Sequence, residues 1–386
     1  MIYSSINRLI LHSCKQCIYR NHNLVKFNSN LTSNTLKILN RRSATLINPE
    51  PLNEISSTAR KSIGIWLLAC SGVTFGTVIV GGVTRLTHSG LSMVDWHPFK
   101  EFPPTSHSQW IEEFEKYKQF PEYKVTNKDM TLDQFKWIWY MEFAHRTLGR
   151  TIGALFFIPA TFFWYKKWLT KAMKKRTLIF GALLGFQGLL GWYMVKSGLE
   201  EKQEFQREPR VSHYRLAAHL GTAFVFYSLL LWSSLTHLLP PQPTQVTQKL
   251  RVFRRFAHST KAIVFLTALS GAFVAGLDAG LVYNSWPLMA DKWIPDDINA
   301  KNSFWENIFE NPTTVQFNHR MLGEVVFCAV AGLWVFSRRL NLNPRTRLAI
   351  NSLMFVTLIK VRLGIANLIY YVRSASSRGP PSHVDL

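Results

Sequence analysis

The chain has 386 residues, 47% of them hydrophobic, and a formal net charge of +22. A soluble protein of this length would hold two or three domains, but the apolar residues fall in long blocks, which points to an all-α polytopic membrane protein. The basic residues gather between those blocks and no nucleic-acid motif accompanies them, so nucleic acid is excluded as a partner and the lipid bilayer is expected.

Residues 1–49 carry Arg8, Lys15, Arg20, Lys26, Lys37, Arg41 and Arg42, and the first acidic residue is Glu50. A basic, hydroxyl-rich, acid-free leader has the profile of a mitochondrial transit peptide. Cys14 and Cys17 have redox or metal spacing but lie in that leader without a second pair. Cys70 and Cys328 sit alone within spans and read as small packing residues.

Seven spans are predicted, at about Ile63–Val83, Ile138–Trp164, Thr177–Val195, Tyr214–Leu239, Lys261–Leu281, Val315–Phe336 and Leu348–Val372. Each is near the roughly 20 residues a helix needs to cross the hydrocarbon core. Small residues recur every fourth position at Gly72 and Gly76, at Gly181 and Gly185, and at Ala272, Gly276 and Gly280, a spacing that suits close helix packing. The loops Tyr165–Arg176, Pro240–Thr260 and Ser337–Arg347 are basic, whereas the alternate loops hold Glu112, Glu113, Glu200, Glu201, Asp296 and Asp297. The positive-inside rule then places the amino terminus in the matrix, if the leader directs the chain to mitochondria.

Spans two, four and six start on the acidic side and carry His145, His219 and His319 within their first turns, at one expected depth. Two of these histidines lie in near-copies of one phrase, Glu142-Phe-Ala-His145-Arg146-Thr-Leu148-Gly149 and Gln316-Phe-Asn-His319-Arg320-Met-Leu322-Gly323. Gly90-Leu-Ser-Met-Val-Asp95-Trp96 likewise matches Gly280-Leu-Val-Tyr-Asn-Ser285-Trp286. The repeats imply two tandem four-helix-bundle halves, 60–239 and 240–372, the second lacking its last helix, with an atypical tail at 373–386.

A histidine inside lipid is costly unless partnered, and imidazole is a usual axial ligand of haem iron. His145 with His219 would bracket a haem between facing helices. The blander reading of a single such residue is an interhelical hydrogen bond. His319 has no partner in the expected second half, and His383 follows no apolar helix. Arg146, Arg215 and Arg320 lie beside the histidines, where they could pair with haem propionates, lipid phosphates or helix ends. Glu142 shares a helix face with His145 and could act as an acid–base group, or form an i,i+4 ion pair with Arg146. Its counterpart Gln316 cannot ionise, which suggests a substrate haem in one half and an electron-transfer haem in the other. Asp95, Trp96, His97 and His107 belong to the long outer loop, where the two histidines read as surface or loop-packing residues, and Asp278 is expected to serve packing or a loop hydrogen bond rather than proton transfer.

The phrases Gly81-Gly82-Val-Thr-Arg85-Leu-Thr-His-Ser-Gly90-Leu-Ser-Met-Val-Asp95-Trp96, Trp139-Tyr-Met-Glu142-Phe-Ala-His145-Arg146, Gly188-Leu-Leu-Gly-Trp-Tyr-Met-Val-Lys-Ser-Gly198 and Tyr214-Arg-Leu-Ala-Ala-His219 closely resemble the mitochondrial haem A synthase family over roughly residues 63–371. The resemblance implies an eight-helix inner-membrane oxidoreductase that converts the C8 methyl of haem O to a formyl group, giving haem A for cytochrome c oxidase. It implies haem O in the first half at Glu142, His145 and His219, and haem B as cofactor in the second half at His319. Ferredoxin and its reductase would supply electrons, with haem O synthase and cytochrome c oxidase assembly factors as further partners; a homo-oligomer is left open. The family's eighth helix and its histidine have no counterpart, and Lys360 and Arg362 stand where the family has glutamine and a small residue, which points to an incomplete or misjoined carboxy-terminal region. A haem-binding assembly protein without catalysis and a membrane dihaem electron carrier are the alternatives.

Overall fold

The structure, a computed structural model, describes residues 55–96, 102–200, 211–242 and 247–376, without the side chains of 200 and 371–376. The leader 1–49, Cys14, Cys17, His97, Glu201 and His383 lie outside the described residues. The helices are α1 (Ser57–Leu86), α2 (His107–Lys118), α3 (Pro121–Val125), α4 (Leu132–Tyr165), α5 (Lys171–Glu200), α6 (His213–Leu238), α7 (Gln248–Gly276), α8 (Phe304–Glu310), α9 (Pro312–Arg338) and α10 (Pro344–Ser376). No strand occurs among the described residues.

Six of these helices, α1, α5, α6, α7, α9 and α10, are long and apolar enough to cross a membrane. The chain is an all-α polytopic membrane protein. The expected second span corresponds to α4, which is 34 residues long, about 51 Å at roughly 1.5 Å per residue. It is not among the six because Glu142, His145, Arg146 and Arg150 dilute its apolar content. It packs along α1, and the Trp66 indole of α1 donates to the Leu155 carbonyl of α4 at 2.9 Å.

Local sequence explains where the helices start. Thr131 accepts from Gln134 N while the Gln134 side chain returns to the Thr131 N–H, a capping box that begins α4 before the predicted Ile138. Thr247 caps α7 in the same way on Leu250 N, well before Lys261. At its other end α7 stops at Gly276, and Asp278 adopts a left-handed conformation with φ 49°. Asp tolerates that region better than most residues. Gly280 therefore lies outside α7, and α10 runs on to Ser376, into the segment read as a tail.

Helix contacts follow chain order with one exception. α1 packs on both α4 and α6, and α5 packs on α6, which groups the first four long helices. α6 then meets α7, α7 meets α9, and α9 meets α10. Large apolar side chains point outward on every long helix, as with Phe75, Ile158, Leu189, Leu266, Val335 and Phe355. In water such a surface would be an aggregation liability; in lipid it is the solvated face.

The small residues divide differently from the expected stripes. Around Gly72, Gly76 and Gly185 a methyl group would meet nothing within 4 Å, so they do not mediate helix packing. A methyl at Gly276 would lie 2.4 Å from His213 Cβ and 2.8 Å from its Cα, which makes this the tight α6–α7 crossing. Cys70 is buried, as expected, but Cys328 is exposed on α9 and packs against no core.

Replacing Gly276 by alanine should therefore cost about 1–3 kcal/mol through overpacking against backbone. Thermal unfolding in detergent checks this, with Gly72→Ala expected to hold or slightly raise the midpoint.

Candidate functional site

Glu142, His145 and Arg146 lie within little more than one turn of α4, and one face of the first three turns of that helix, with Phe135, Ile138 and Trp139, is buried in an aromatic layer formed with α2. Phe114, Tyr117, Phe135 and Trp139 are the centre of this layer. His145 thus lies further from the helix start than predicted, because Leu132–Ile138 pack on the outer helices instead of forming a loop.

The imidazole of His145 stands over α1 at Gly81, where a methyl would be 2.7 Å from its Cε1. His219 of α6 faces α5 in the same manner, with a methyl at Gly191 falling 3.4 Å from Cε1. Both rings line one cavity of about 670 Å³ together with Glu142, Arg85, Trp96, Gln187 and Phe226. That volume is typical of a site for a large organic ligand. The Nδ1 atoms of His145 and His219 are buried without a well-formed hydrogen bond, although the Thr77 backbone lies close enough to act on His145. Two imidazoles from facing helices in one apolar cavity fit a planar ligand held through its metal.

Glu142 is 3% exposed and fully engaged. Its Oε1 accepts from Arg146 Nη2 at 2.6 Å, and its Oε2 accepts from Ser92 Oγ and Met93 N, both at 2.8 Å. The expected i,i+4 ion pair is therefore present, and it is buried. Arg146 also donates to the carbonyls of Met93 (2.7 Å) and Asp95 (3.0 Å), and its guanidinium covers the Trp96 ring. The outer loop is thereby tied to the helix that carries His145.

The second phrase repeats the arrangement. Arg320 donates to the carbonyls of Tyr283 (2.8 Å) and Ser285 (2.9 Å), the residues equivalent to Met93 and Asp95, while Gln316 Nε2 donates to Tyr283 O at 2.9 Å. His88 and Asp278, equivalent in the two loops, share the left-handed backbone at φ 50° and 49°. His319 stands over Gly271, where a methyl would lie 3.2 Å from Cε1, and its Nδ1 is 2.7 Å from Ser270 Oγ. It does not line the first cavity. Arg215 covers the Tyr193 ring at 5.0 Å and is likewise outside that lining.

Two features escaped the sequence reading. Asp278, expected to serve packing or a loop hydrogen bond, instead pairs with Arg85 of α1 at 3.3 Å, and Arg85 also donates to Gly276 O, which links the end of α1 to the end of α7. Glu122, which the sequence does not single out, is buried and lines the cavity.

Comparison with known proteins shows the family. The family profile of the cytochrome oxidase assembly protein COX15-CtaA matches residues 64–377. The chain belongs to this family. Its relatives include Heme A synthase COX15 of Homo sapiens, 56% identical over 82% of this chain and 78% of that protein. The protein of the same name in Arabidopsis thaliana is 45% identical over 81% of this chain and 69% of its own length. That of Saccharomyces cerevisiae is 40% identical over 81% and 70%. The span of the match includes every site residue described above.

Because Glu142 and Arg146 are both buried, removing one strands the other. Glu142→Ala should lower stability by about 3–5 kcal/mol and free the loop at Ser92–Asp95. Denaturant unfolding and limited proteolysis of that loop measure the two effects.

Proposed function

We propose that this chain is a haem A synthase that binds haem O in the cavity between His145 and His219 and oxidises its C8 methyl to a formyl group. The observation that carries the reading is the pair of imidazoles, one from α4 and one from α6, opening on a single apolar cavity. Gly81 and Gly191 let each ring lie close against the neighbouring helix at the cavity wall. Glu142, Arg146 and Trp96 hold the outer loop over the cavity mouth, which fixes the substrate edge and limits water. Arg215 and Arg320 lie near the starts of α6 and α9 and Arg146 lies mid-way along α4; a propionate could pair with them after rearrangement of their present contacts.

The second repeat suits haem B. A hydroxyl on His319 Nδ1 fixes the ring and leaves Nε2 to bind iron, the usual outer-shell arrangement. Haem B bound there would supply one-electron transfer. The halves 60–239 and 240–372 then serve substrate and cofactor, and the Arg85–Asp278 pair connects them.

Residues 1–49 act as a mitochondrial transit peptide on this reading, and the protein resides in the inner membrane with its amino terminus in the matrix. Ferredoxin and its reductase deliver electrons. Haem O synthase supplies the substrate, and cytochrome c oxidase assembly factors receive haem A.

Pigment extraction from the purified full chain tests the reading. Wild type should yield haem O or haem A, and His145→Ala or His219→Ala should lose both. Gly81→Ala should lower their content about tenfold by displacing the His145 ring. Wild-type pigment in the histidine variants would remove the cavity from the reaction.

A further inference from the structure

The outer layer contributes a carboxyl to the cavity that the reading above leaves unused. Glu122 in α3 lines the same cavity as His145, His219 and Glu142 and is 6% exposed. Its Oε2 accepts from the Tyr117 hydroxyl at 3.0 Å, and that hydroxyl accepts from Asn127 Nδ2 at 2.7 Å. Tyr117 is fully buried, stacked on Phe135 and edge-on to Tyr123, so this anchor cannot swing away. Among the described residues nothing bonds Oε1, which leaves that oxygen to the cavity.

Glu142 differs in this respect. Arg146, Ser92 and Met93 N occupy both of its oxygens, so an arriving proton would have to displace a donor. The two carboxyls of the cavity are thus unequal: one is a clamp, and the other has an open oxygen. Three groups act on Glu122 from the elements around it, namely Tyr117 of α2, Glu142 of α4 and Arg85 of α1. Burial pushes its carboxyl up to about 8, helped by the Glu142 charge and opposed by the Tyr117 hydrogen bond and Arg85.

We infer that Glu122 is the proton-exchanging group of the cavity, held at Oε2 by Tyr117 and giving or taking a proton at Oε1 from the cavity's occupant. Each exchange forms one O–H bond as another breaks and moves no electrons, so it adds no oxidant to the reaction. The inference rests on the proposed haem O site, since converting a methyl to a formyl group releases protons into an apolar space. Glu122 matches the requirement for an acid–base group with a proton affinity near the working pH.

The test uses the full chain purified with haem O, the variants Glu122→Gln and Tyr117→Phe, and infrared spectra recorded across pH in H₂O and D₂O. Glutamine still accepts from Tyr117, so the fold should hold. Wild type should show a protonated-carboxyl C=O band that is lost on ionisation around pH 8. The band should vanish in Glu122→Gln and shift in Tyr117→Phe. Haem A formation should fall about 100-fold in Glu122→Gln with haem O content unchanged. A band that persists in Glu122→Gln, or wild-type haem A formation by that variant, overturns the inference. Absence of any haem from the wild-type protein would instead overturn the haem-site reading, and the infrared band would still decide the state of Glu122.

Discussion

The buried arginine clamp is the contact on which the rest depends. Arg146 fastens the carbonyls of Met93 and Asp95 to the helix face that carries His145, and Arg320 does the same with Tyr283 and Ser285 beside His319. An arginine inside a bundle is costly unless its donors are met, and loop carbonyls meet the terminal nitrogens here, whereas Arg320 Nε is buried without a partner. The clamp therefore closes the loop over the bundle and sets where the neighbouring imidazole stands. The two copies differ in one respect. Glu142 supplies a charge and takes the Ser92 and Met93 donors, whereas Gln316 is neutral and donates to Tyr283 O. A single exchange of Glu for Gln thus makes one site electrostatically unlike the other.

Helix approach supplies the second constraint. Lipid gives helices little hydrophobic reason to associate, so small residues and close contacts carry the packing. In this chain several of those small residues do more than let backbones approach. Gly81, Gly191 and Gly271 each lie beside an imidazole of the adjacent helix, where a methyl would collide with the His145 ring, crowd the His319 ring and just touch the His219 ring. The backbone crossing proper is made at Gly276 against His213. Absence of a side chain is thus used in two ways, for packing and for leaving room at a ring.

The repeated phrases were legible because they are long and carry costly residues: a histidine and an arginine side by side in an apolar segment invite an explanation. The family likeness added the chemistry that spacing alone could not supply. Span ends were less legible, because the hydropathy of Leu132–Ile138 says nothing of the aromatic layer that Trp110, Phe114 and Tyr117 build against it. The glycine stripes misled for a related reason. Spacing identifies a helix face but not whether a partner helix lies on it, and Gly72 and Gly76 face open space. Glu122 carried no mark at all, since a carboxylate between lysines reads as solvated until Tyr117 and the cavity are placed around it. Its only local cue is the Pro121 before it and the tyrosines at 117 and 123.

Whether one haem lies between His145 and His219 is decided by an experimental structure of the full chain purified with its pigment. Iron should be bonded to both imidazoles inside the cavity lined by Gly81 and Gly191. Iron bound by neither histidine, or pigment outside that cavity, would contradict the proposed site.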